Sequence, residues 1–143
     1  MHLVGNLFGL FLAGTLLEPV FGRIGFLLCY FLSGVAGGVA SVDWHANTVS
    51  IGASGAIFGL MGAIVGFSLL NHSKSSFAKN HVIGFVLFFL GYNFLLGLFG
   101  GATDNADHLG GLACGLMLGV FFHLFPSLLP HRHPVGSKSE AHP

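Results

Sequence analysis

Three groups of residues in this chain can act together chemically. Ser54 lies in Gly52-Ala53-Ser54-Gly55. A serine hydroxyl becomes a competent nucleophile when a neighbouring base takes its proton. His108, in Asp107-His108-Leu109-Gly110-Gly111, carries an imidazole of the kind that serves as that base. His2 and Asn6 are four positions apart and share a helical face. Their N–H groups suit an oxyanion, and the Ser54 backbone N–H is a further donor. Each group also has a plainer reading. A lone G-x-S-G means little in a chain with 23 glycines. Serines in membrane helices commonly bond back to their own backbone. Alone, His108 reads as an interfacial histidine and His2 with Asn6 as a polar packing pair. The conjunction of nucleophile, base and oxyanion donors is what points to hydrolysis through a tetrahedral intermediate.

The elements that must carry these groups follow from composition. The chain has 143 residues, of which 53% are hydrophobic and 7% charged, with zero formal net charge. A soluble domain has about 25% charged residues. This excludes a soluble enzyme, a disordered chain and a nucleic-acid binder. Mean hydropathy of +0.82 indicates a multi-span membrane protein. The apolar residues show no strand period, so a transmembrane barrel is excluded. Polar clusters divide the chain into five predicted spans, near residues 2–17, 24–42, 54–70, 82–99 and 108–125. Glu18-Pro19 is expected to close the first and Asp43 to Asn47 the second. Residues 126–143 read as a disordered tail, its histidines solvated. Cys29 and Cys114 are too few for a disulfide framework or a metal quartet and read as packed free thiols.

With five spans, Arg23, Lys74, Lys79, Arg132 and Lys138 fall on one side, and Asp43, Asp104 and Asp107 on the other. The positive-inside rule makes the basic side, with the tail, cytoplasmic. Ser54 and His108 then open their spans from the outward side. Gly55, Gly59, Gly62 and Gly66 form one helical row. Gly111, Gly115 and Gly119 form another with His108. Two such faces allow close helix approach and predict that Ser54 and His108 meet. Asp104 and Asp107 read most simply as outward loop charges, with Asp107 near a helix N-terminus where it suits the dipole. A triad acid is the less simple reading. Asn93 reads as a hydrogen bond to a neighbouring helix or a residue on a substrate path.

These motifs together resemble the rhomboid intramembrane serine proteases. The matching pieces are His2-x-x-x-Asn6, Leu17-Glu18 with Gly22 and Arg23, Gly52-Ala53-Ser54-Gly55 with Phe58, and His108-Leu109-Gly110-Gly111 with Gly115. They match in order and spacing over roughly residues 1 to 125. The resemblance implies an all-α, polytopic membrane bundle, with about five helices present of a six-helix core. It implies a Ser54–His108 dyad, oxyanion donors at His2 and Asn6, and Phe58 stacked on the catalytic histidine. It implies no metal or cofactor. Substrates would be single-span membrane proteins cut near or within their transmembrane helix, in the lipid bilayer and without nucleic acid. The family's first helix has no counterpart here. The chain is therefore expected to be a fragment, or a late-start version of a longer protein, carrying the second to sixth core helices. The runner-up is a non-catalytic rhomboid-fold protein that binds membrane clients. A transporter is disfavoured because no inverted repeat appears.

Overall fold

The computed structural model describes residues 2–44, 53–70, 76–100 and 104–129, and among them the regular structure is helical, without strands. The helices are α1 (His2–Trp44), α2 (Ser54–Leu70), α3 (Ser76–Gly100) and α4 (Asn105–Leu124), followed by a 3-10 turn, Pro126–Leu128. Leu3–Trp44 and Asn105–Leu124 are long and apolar enough to cross a membrane. Large side chains such as Phe11, Ile24, Phe31, Val35, Phe88 and Met117 face outward. In a bilayer such a surface contacts lipid at no cost.

α1 is broken at Gly22, whose φ of 68° and ψ of 174° lie where only glycine sits without strain. Gly9 of the first limb packs against Ile57, and Gly34 of the second against Ala56. The two limbs therefore fold back beside each other along α2. The break is not where the Glu18-Pro19 signal suggested, since both residues lie inside the helix. Pro19 falls in the last turn of its limb, where it removes only one helical hydrogen bond. Gly22 alone supplies the required backbone conformation. Glu18 and Arg23 bridge the break through an ion pair of 3.2 Å.

Burial on α1 recurs at every fourth residue: Gly9, Ala13, Leu17 and Phe21, then Gly25, Cys29, Ser33, Gly37 and Ser41. α2 is buried on all sides from Ser54 to Gly66, so it is the central helix. α3 touches the bundle mainly through Val86, Phe89 and Leu90. The tail expected from residue 126 opens in order. Leu128 and Leu129 N–H groups close a turn on Phe125 and Pro126, and Leu129 packs on the core. Residues 130–143, with the tail histidines, lie outside the described residues, as do His45 to Gly52.

Candidate active site

α2 and α4 run parallel and meet along their glycine rows. A Cβ on Gly111 would fall on the Gly55 carbonyl, one on Gly115 on the Gly59 carbonyl, and one on Gly119 on the Ala63 carbonyl. The register thus holds over three successive turns. From the other side, Cβ atoms on Gly62 and Gly66 would strike the Leu112 and Leu116 carbonyls. The two glycine faces predicted to meet do so, with backbone against backbone.

This seam brings the first turns of both helices together. Ser54 opens α2 and is 8% exposed; His108, in the first turn of α4, is 2% exposed. Phe58, one turn after Ser54, lies flat on the His108 imidazole, with centroids 3.9 Å apart and planes 7° from parallel. The stack fixes the ring plane of the histidine beside the α2 N-terminus.

The Ser54 hydroxyl donates to Asp107 Oδ2 at 3.2 Å. Asp107 is therefore no outward loop charge: it is 5% exposed and faces Gly37 of α1 and Gly55 of α2. The simplest sequence reading faces it outward, although a signal for the inward face is present. Asp107 stands one four-residue step before Gly111, on the same row as Gly115 and Gly119. Asp104 is the N-cap of α4. Its Oδ1 accepts from the backbone N–H of Ala106 at 2.9 Å and of Asp107 at 3.1 Å. The Ser41 hydroxyl of α1 donates to its other oxygen. This cap starts α4 early enough to turn both Asp107 and His108 inward.

Asn6 is half-buried, one turn before Gly9, which packs on Ile57. The first limb runs parallel to α2, so Asn6 stands level with Ser54. His2 begins α1, a turn further out; its side chain lies outside the described residues. Asn93 donates to Phe89 O of its own helix at 2.8 Å, not to a neighbouring helix. Among the described residues no three His, Cys, Asp or Glu side chains form a metal set. A hydroxyl, an imidazole and a carboxylate thus share a buried junction of three helices, where polar interactions are strong.

Comparison with known proteins gives the same direction. The Rhomboid domain family model matches residues 1–125. RHOMBOID-like protein 6, mitochondrial, of Arabidopsis thaliana is 36% identical over 88% of this chain and 40% of its own length. Rhomboid protease GluP of Bacillus subtilis is 35% identical over 80% of the chain and 22% of its own length. Rhomboid-like protease 5 of Toxoplasma gondii is 33% identical over 83% of the chain and 14% of its own length. The chain thus spans well under half of these relatives. No solved structure gives a significant match. With a family match over nearly its whole length and apolar helices to suit a bilayer, the chain is an integral membrane protein that belongs to the rhomboid family.

Proposed function

We propose that this chain carries the catalytic centre of an intramembrane serine endopeptidase. One observation carries the reading: Ser54 and His108 are buried in the first turns of two glycine-seamed helices, with Phe58 stacked on the imidazole. The Bacillus and Toxoplasma relatives, both named as proteases, support it. In this reading Oγ of Ser54 stays in place and its O–H rotates from Asp107 to His108, which takes the proton as Oγ attacks the scissile carbonyl. The Ser54 backbone N–H, Asn6 and His2 receive the developing oxyanion. His108 returns the proton to the leaving amine, and water then hydrolyses the acyl-enzyme by the same route. The substrates are single-span membrane proteins that reach the site from the bilayer. The Asp104 end of the bundle faces outward and the Arg23 end, with the C-terminal tail, the cytoplasm. The distribution of basic residues supports this orientation.

The test is labelling of the detergent-solubilised chain with a fluorophosphonate probe, alongside cleavage of a transmembrane substrate. Ser54→Ala and His108→Ala should each abolish both signals. Cleavage that survives in Ser54→Ala would refute the protease reading. Asn6→Ala should lower turnover by about tenfold to a hundredfold with little change in KM, because an oxyanion donor acts in the transition state. An unchanged turnover would leave Asn6 a packing residue.

A further inference from the structure

Asp107 is a buried carboxylate for which dyad chemistry has no need. Its surroundings are nonetheless specific to it. Oδ2 accepts the Ser54 hydroxyl, and the rest of the group fills a slot between Gly37 and Gly55. A methyl group on either glycine would collide with it. Both carboxylate oxygens also lie beside Gly55 in the first turn of α2. Ala53 explains why the carboxylate is wanted there. Its carbonyl accepts the Ile57 N–H at 3.0 Å, so it occupies the N-cap position of α2. That position normally offers a side-chain oxygen to the N–H of the second or third helical residue. Alanine has none. Gly55 is the second residue of α2, and the missing oxygen arrives there from α4. A carboxylate at a helix N-terminus is also favoured by the helix dipole.

We propose that Asp107 is a positioning residue for the nucleophile: it caps α2 from the neighbouring helix and so holds the Ser54 side chain in one rotamer. The proposal rests on the reading of Ser54 and His108 as nucleophile and base. An unrestrained serine divides its time among three staggered wells. An acceptor fixed in a glycine slot selects one of them. Asp107 touches neither the substrate nor the reacting carbonyl. It acts through Ser54 and through the N-terminus of α2, which carries the Ser54 backbone N–H.

The experiment follows fluorophosphonate labelling of the full chain in detergent, resolved into labelled end-point, maximal labelling rate and probe affinity. Asp107→Ala should lower the maximal rate by about tenfold or more. The end-point should stay complete and probe affinity within about threefold. A purely structural role would instead reduce the end-point and leave the rate per folded molecule unchanged. Asp107→Asn should keep at least about a third of the rate. Its amide oxygen can accept from Gly55 while its NH2 group donates to Ser54 Oγ. A wild-type rate in Asp107→Ala overturns the proposal. An Asp107→Asn variant as slow as Asp107→Ala also overturns it, since charge and not position would then be at work. If Asp107→Ala does not fold, Asp107→Glu decides. Its extra methylene does not fit the slot and should slow labelling about tenfold; an unchanged rate overturns the proposal. A wild-type chain that never labels at Ser54 would refute the dyad itself.

Discussion

The two ends of the bundle are held together by opposite means. At the serine end α2 and α4 meet through Gly55, Gly59, Gly111 and Gly115, with no side chain between the backbones. Toward the Arg23 end the seam runs out at Gly66 and Gly119, and the space around and beyond it is filled by rings. Phe21 of α1 lies 5.3 Å from Phe67 of α2 and 4.9 Å from Phe122 of α4, and His123 lies 5.4 Å from Phe67. A glycine contact has no adjustable part, so its geometry is set by the backbone itself. A ring cluster fills volume and can shift its rotamers when a neighbour changes. The difference teaches where this fold spends its rigidity. The end that carries Ser54 and His108 uses contacts that cannot slide. The other end needs only to exclude voids.

Three substitutions would break or sharpen this contrast. The largest effect is expected from Gly115→Val, which places a side chain on the Gly59 carbonyl. The helices must separate, and displacement by about 1 Å is enough for a loss of about a hundredfold. Ser54 labelling should all but vanish, although Gly115 lies about two turns from His108. Full labelling would show that the seam does not set the site. Phe122→Ala should come next. It empties a buried ring position and should reduce stability by about 3 kcal/mol. A lower melting temperature with an unchanged labelling rate per folded molecule is the expected result. A fall in rate as large as that of Gly115→Val would mean that the two ends are not independent. The smallest effect belongs to Asp104→Ala. Loss of the α4 cap should reduce stability by about 1 kcal/mol and slow labelling only a few-fold. Loss of labelling here would place the control of His108 in the cap and not in the seam.

Much of this arrangement is legible in the sequence. The glycine rows on α2 and α4, spaced to share a face, implied the seam. Ser54 and His108 at the starts of those rows implied a shared junction. The reading of the seam succeeds because it concerns one helix at a time, where spacing along the chain dictates which residues share a face. The break in α1 lies in the interval expected between the first two spans, but at Gly22 and not at Glu18-Pro19, which is the stronger local stop signal; Gly22 is one glycine among 23. Which glycine bends is decided by where the returning limb can pack on α2.

Asp107 marks the same boundary more sharply. Composition, spacing and charge pattern determined that this chain is a bundle of apolar helices, with a serine and a histidine at matching helix starts. They did not determine that the carboxylate beside the histidine turns inward. That depends on how far α4 is rotated about its axis and on where its first turn begins. The rotation comes from Gly111 and Gly115 resting on α2, and the start from the Asp104 cap tied to Ser41 of α1. The slot it enters is made by Gly37 and Gly55, from two other helices. A residue's face follows from its own helix, but its partner requires three helices to be in place at once, and only the tertiary structure supplies that.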